Sequence, residues 1–318
     1  MTLLKNIKSN VKKTLNFFGK IFKNQSSKEN DALYRLLYQS VHDNEQALSL
    51  ACLQTQNAFA SQWEHLPSGN ALLSDSWFRH NVGRILCEEE IQVSSDWFAG
   101  KSILDAGCGN GRWSYGFAQL GANVTAVDVN LIALNKTQKA LEDFPIKKEF
   151  IHAPLEELAT HCSAQFDLVF SWGVAHHCRS FNRSLDQLVE RVKDGGMIYL
   201  YLYGRESCSY DVDLELFKER VFYNSLLTDT EKLSFLQKKS GGDRSKLHIL
   251  HDIYAPLINR RLDFTYVKEY LAKRGMHNIE RTIDHTELFI RAFKGNASEV
   301  KRCILPKKSK PYWFERYT

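Results

Sequence analysis

Asp105-Ala106-Gly107-Cys108-Gly109-Asn110-Gly111 follows a short apolar run, Ile103-Leu104, and precedes a segment whose apolar residues recur at helical spacing. Glycines let a backbone turn sharply and approach a ligand closely, and the first turn of the next helix offers amide hydrogens with no partner inside that helix. The spacing suits a cofactor cradle, although a tight strand-to-helix connection uses the same residue types. Asp128 favours the cradle, because it closes the next apolar run, Val124 to Val127. A carboxylate at that edge of an open α/β sheet can accept both hydroxyls of a ribose placed over the glycine turn. Asp105 stands at the end of its own run and is expected to face the same crevice. A dinucleotide fingerprint begun at Gly107 would need its third glycine where Arg112 stands, so D-x-G-x-G-x-G fits and G-x-G-x-x-G fails. No Walker lysine follows, which argues against nucleoside triphosphates.

The elements around this turn set short apolar runs against amphipathic segments. Ser102 to Asp105, Val124 to Val127, Phe150-Ile151, Phe166 to Phe170 and Met197 to Tyr203 read as buried strands. Trp113 to Leu120, Leu131 to Phe144 and Leu185 to Val192 read as helices, with Gly121 and Gly195 where helix stops belong. Alternation of this kind predicts an α/β fold, a Rossmann-like, mostly parallel sheet with helices on both faces. Asp211 to Lys238 and Phe264 to Arg274 are further helices, and Asn278 to Thr282 and Glu287 to Phe293 are final strands.

Upstream, residues 31–96 read as a helical extension broken at Pro67-Ser68-Gly69-Asn70, and residues 1–30 as a basic amphipathic helix with a polar linker. Such a helix lies on an anionic membrane or packs against protein, so peripheral membrane contact stays open. The domain expected over 97–318 carries a helical insertion at about 205–262. With 318 residues, 43% of them hydrophobic, and a formal charge of +5, the chain can build a core and is neither disordered nor strongly basic. Its seven cysteines lack CxxC pairs and read as reduced thiols. No secretory signal or membrane-spanning run is evident, which makes a cytoplasmic location the expectation. His248 and His251 lie one helical turn apart, but no cysteine pair or glutamate motif accompanies them, so no metal is expected. For Arg260-Arg261 and the tail Lys307-Lys308-Ser309-Lys310, exposed charge is the ordinary explanation.

In type and order these segments resemble class I S-adenosylmethionine-dependent methyltransferases across Trp97 to Phe293. Asp105 to Gly111 is similar to that family's first motif, whose glycines line the methionine portion of the cofactor, and Asp128 matches the acid that holds the ribose. His152-Ala153-Pro154-Leu155 matches the segment beside the adenine, with Ala153 where the family often has an acid. The stretch from Phe166 through Ser171 and Trp172 to His177 resembles the fourth motif, which runs past the transferred methyl. The resemblance implies S-adenosylmethionine as cofactor, with Asp105, Gly107, Gly109, Gly111, Asp128, Ala153, Pro154, Ser171 and Trp172 around it.

Because the methyl of a sulfonium is already activated, the protein mainly has to align an acceptor with the bond that breaks. For a hydroxyl acceptor, a histidine titrating near neutrality can take the proton. His176 and His177 are the candidates, and a role limited to shaping the pocket is weighed equally. His251 with Asp252, and Tyr203, are weaker ones. The expected reaction is methyl transfer to a small molecule, with a sugar or other metabolite hydroxyl as working acceptor, bound between the helical extension and the insertion. Two alternatives are carried. An RNA methyltransferase would show a basic stripe interleaved with aromatics, which the core lacks, so no nucleic-acid partner is expected. A non-catalytic binding protein with the same fold would have less reason to keep the glycine and acidic motifs intact.

Overall fold

The computed structural model describes residues 34, 35, 38, 45–66 and 73–307. The basic helix of residues 1–30, the Pro67-to-Asn70 loop and the tail lysines Lys308 and Lys310 lie outside the described residues. The strands are β1 (Ser102–Ala106), β2 (Asn123–Asp128), β3 (Lys148–His152), β4 (Phe166–Trp172), β5 (Val192–Leu202), β6 (Met276–Arg281) and β7 (Leu288–Lys294). The principal helices are α1 (Glu45–His65), α2 (Ser76–Arg84), α3 (Arg112–Gln119), α4 (Leu131–Ala140), α5 (Phe181–Glu190), α6 (Tyr210–Ser225), α7 (Asp229–Lys239), α8 (Leu247–Tyr254) and α9 (Phe264–Ala272). Contacts divide the chain into two compact units, a sheet unit of Gly69–Ser207 with Arg260–Thr318 and a helical unit of Met1–Ser68 with Cys208–Asn259.

The sheet unit holds one seven-stranded sheet in the order β3-β2-β1-β4-β5-β7-β6. The first five strands run parallel, and β7 pairs antiparallel with both β5 and β6. Alternation along each strand splits its side chains between two cores. Ile103, Phe170 and Tyr199 join Phe78, Val82 and Phe117 on one face, while Leu104, Val169 and Leu200 join Leu185, Leu188 and Val267 on the other. With both faces covered by helices, the strands must be apolar throughout, which is why they read as continuous runs.

Local signals fix the helix starts. Asn130 caps α4 by accepting from the amide of Ile132 at 2.9 Å, and Ser180 caps α5 through the amide of Arg183. The region 76–98 packs with the sheet unit, whereas the sequence reading opens the sheet domain at Trp97. Phe78, Val82, Ile85 and Leu86 are fully buried in the first core, and helical periodicity does not reveal which core a face will meet. Gly195 differs from expectation as well. Helix α5 ends at Glu190 with Arg191 as its cap, and Gly195, at φ +80°, lies inside β5 where pairing with β4 shifts register.

Within the helical unit, α1, α6, α7 and α8 bury Ala58, Tyr223, Leu236, Leu247 and Tyr254 in one cluster and Ala51, Phe217 and Val221 in another. The segment 211–238 is two helices, because Thr228 and Glu231 form a capping box that restarts the helix at Asp229. Arg220 and Asp213, each 1% exposed, form an ion pair at 3.5 Å; Tyr38 donates to Asp213 at 2.9 Å, and Arg220 Nε donates to the carbonyl of Ile253 at 2.8 Å. Removing the cation would leave Asp213 charged in an apolar core. Arg220→Met is expected to cost roughly 3–5 kcal/mol, read as a lower urea midpoint with an unchanged slope.

Candidate active site

Sheet order brings β1 between β2 and β4, so the loops leaving their C-terminal ends meet in one crevice, where open α/β sheets bind ligands. The turn after β1 passes through left-handed glycines at Gly107 (φ +86°), Gly109 (φ +56°) and Gly111 (φ +85°), the last of which starts α3 without a side-chain cap. Hydrogen bonds clip this turn to the sheet. The amides of Gly107 and Cys108 donate to the carbonyl of Val127 at 2.7 and 3.0 Å, and Thr137 Oγ1 donates to the carbonyl of Gly109 at 2.9 Å. A Cβ on Gly111 would come within 2.8 Å of Thr137 Oγ1. The amide hydrogens of Gly107 and Cys108 are thus spent on the fold, leaving the first turn of α3 as the donor-rich part of the cradle.

Asp128 ends β2. Its Oδ2 accepts from the amide of Gly109 at 2.9 Å and its Oδ1 from the amide of Asn130 at 2.8 Å, which aims the carboxylate across the turn. Burial pushes its carboxyl up to about 6 despite these bonds. Asp105 is 1% exposed and accepts from Ser114 Oγ at 2.5 Å. Burial, reinforced by the nearby charge of Asp128, raises it to about 7. Ala153, after β3, donates its amide to the main-chain carbonyl of Asp128 at 3.2 Å, which holds Ala153-Pro154 next to the end of β2. Ser171 is buried on β4, with its hydroxyl on the carbonyl of Ala106 at 3.0 Å. Trp172 packs against Tyr201 at a tilt of 36°, with ring centroids 4.3 Å apart.

His176 and His177 follow β4 on a short turn, with the His176 ring packed at a tilt against Tyr203, 4.0 Å between centroids. His176 is wholly buried, and neither ring nitrogen has a hydrogen-bond partner among the described residues. Burial, with His177, Arg261 and Arg260 nearby, drives its imidazole well below the ordinary range, so it is neutral. The two weaker histidine and tyrosine candidates separate, Tyr203 lying in the sheet unit with His176 and His251 in the helical unit.

One participant has no sequence signal. Glu90 sits on a π-helical turn, Ile85–Ile91, and is fully buried. Its Oε2 accepts from the hydroxyl of Tyr199 at 2.7 Å and from the indole of Trp172 at 3.3 Å, while Oε1 has no partner among the described residues. Burial raises this carboxyl to about 7. Arg112 lies 4.4 Å over the Trp172 ring. Nothing in the run Glu88-Glu89-Glu90 singles out the third acid.

The three raised carboxyls set a pH dependence. Each binds its proton more tightly folded than unfolded, so stability is greatest below about pH 4 on this account and is lost as pH rises through 6–7. In the ligand-free protein, Asp105→Asn is expected to remove about a third of the decline in melting temperature between pH 5 and 8.

Residues 103–196, within the sheet unit, match the family described as "Methyltransferase domain". The chain is 32% identical over 152 residues to the mitochondrial ubiquinone biosynthesis O-methyltransferase of Schizosaccharomyces pombe, covering 47% of this chain and 53% of that protein. It is 30% identical over 166 residues to the ubiquinone biosynthesis O-methyltransferase of Psychrobacter cryohalolentis, covering 48% of this chain and 63% of that one. The chain therefore spans little more than half the length of these relatives. Among solved structures, magnesium protoporphyrin IX methyltransferase of Synechocystis with bound cofactor aligns over 82% of this chain and 97% of its own, at 12% identity and a TM-score of 0.43. No helix among the described residues is long and apolar enough to cross a membrane.

Proposed function

We propose that the protein transfers the methyl group of S-adenosylmethionine to an oxygen of a small-molecule acceptor, such as a sugar or other metabolite hydroxyl. The observation that carries this reading is the Asp128 carboxylate fixed over the glycine turn by the amide of Gly109. The donor set suits the cofactor. Asp128 can accept the ribose hydroxyls and the start of α3 can meet the carboxylate of the methionine portion. Buried carboxyls at Asp105 and Glu90, both raised by burial, would regain their charge beside a cation.

Once bound, that cofactor supplies an activated methyl needing only alignment and the exclusion of water. Trp172, held through its indole by Glu90, braces the C-terminal end of β4, and Ala153-Pro154 flank Asp128. Of the two histidines, we assign the proton-accepting role to His177. His176 is fully enclosed, and a charge there would be disfavoured by burial and by the nearby His177, Arg261 and Arg260, so its part is to position His177, whose ring lies 4.1 Å away. The test is a tritiated-methyl assay on fractionated cell extract. Label in the low-mass fraction is expected, and label confined to RNA, or in no fraction, overturns the reading.

A further inference from the structure

Away from the glycine turn, the helical unit forms a half-open cavity of about 370 Å³ between α1, α6, α7 and α8, within the size range of sites that hold small organic ligands. Its apolar wall is formed by Leu53, Ala58, Leu226 and Leu227. Gln54 and Asn224 also reach it, but they are consumed by the fold. Gln54 Nε2 donates to the carbonyl of Ala255 at 2.8 Å, and Asn224 Nδ2 donates to the same carbonyl at 2.9 Å. The imidazole of His251 is not consumed in this way.

His251 is 5% exposed and its Nδ1 has no hydrogen-bond partner among the described residues. Burial, with His248 and Lys232 nearby, lowers its imidazole to about 3, so it is neutral and can exchange one hydrogen bond with an O–H group. Tyr223 is 4% exposed, and its hydroxyl stays protonated because burial pushes it well above the ordinary range. Asn57 and Ser61 stand one helical turn apart on α1 and complete this side, while Asp229 and Lys232 from α7 add one charge of each sign. Mixed donors and acceptors on such a wall are groups that a polar ligand can satisfy and an apolar one cannot.

We propose that this cavity binds a hydroxylated ring compound of monosaccharide size. Its hydroxyls would engage His251, Tyr223, Asn57 and Ser61, and its carbon face would rest on the leucines. A planar aromatic ligand would leave most of these groups unsatisfied, and an apolar one all of them. The proposal does not depend on methyl transfer, since it concerns binding to the helical unit alone.

Saturation-transfer NMR on the full chain, with glucose, glucuronate and myo-inositol at millimolar concentration and 4-hydroxybenzoate as the aromatic comparison, tests it. Transfer to at least one of the three polyols is expected, with affinity about tenfold weaker in Ser61→Leu, where the bulk fills the cavity mouth and one hydrogen bond is lost. Ser61 is only half-buried, so that variant should keep the wild-type melting temperature; Asn57→Leu, at an exposed position, is the second variant if it does not. Failure of all three polyols to show transfer overturns the proposal, as does transfer to 4-hydroxybenzoate alone, or polyol binding that neither variant weakens.

Discussion

Asp128→Ala is expected to weaken S-adenosylmethionine binding about 100-fold by isothermal titration. A hydrogen bond to a charged acceptor is worth about 1.5–3 kcal/mol, and two ribose hydroxyls would lose theirs together, which at 1.4 kcal/mol per decade gives two orders of magnitude or more. The same substitution frees the amides of Gly109 and Asn130, now held at 2.9 and 2.8 Å, so the turn itself loosens. Asp128→Asn separates the two effects. Its amide oxygen can still hold one backbone N–H while the charge is gone, and a loss nearer tenfold is expected. Affinity in the wild type should also fall by up to about tenfold as pH drops through 6 and then level off, because protonation of Asp128 removes the charged acceptor much as Asp128→Asn does. Equal binding heats for wild type and Asp128→Ala would remove the foundation of the proposed function.

What the sequence discloses about this site follows the range over which each part is determined. The glycine turn and Asp128 are local features, a strand end with a turn of fixed conformation, so residue type and spacing suffice to find them. A mostly parallel sheet also follows from the alternation of strands and helices, although the order of its strands does not. Glu90 is different. It reaches Trp172 and Tyr199 from a π-helical turn, Ile85–Ile91, that directly continues α2, and no residue type in the sequence marks that change of helix. The stack of Arg112 on Trp172 joins residues 60 positions apart in the chain (172 − 112) that no periodicity links. For the helical unit, amphipathic spacing predicts helices but not that α1 and the insertion share a core, since the pattern shows a buried face and not its partner. The division at Gly69 instead of Trp97 has the same origin.

Gly107→Ala should abolish that geometry by a route independent of charge. The residue sits at φ +86°, and a Cβ there would overlap both methyls of Val174 and meet its Cβ at 2.9 Å. Backbone strain and overpacking cost about 1–3 kcal/mol each, so stability should drop by about 2–6 kcal/mol in urea unfolding, with cofactor binding lost because the turn must shift to relieve the overlap. Val174→Ala alone should be mildly destabilising, since Val174 packs against the second core. Placed in the Gly107→Ala background, it removes the two methyls and should recover about half of the lost stability, leaving the cost of the positive φ. A double-mutant cycle therefore distinguishes the causes. Coupling above about 1 kcal/mol means that Val174 holds the glycine turn from behind, whereas strict additivity would mean that the turn needs glycine for its backbone conformation alone and that the close approach of Val174 plays no part.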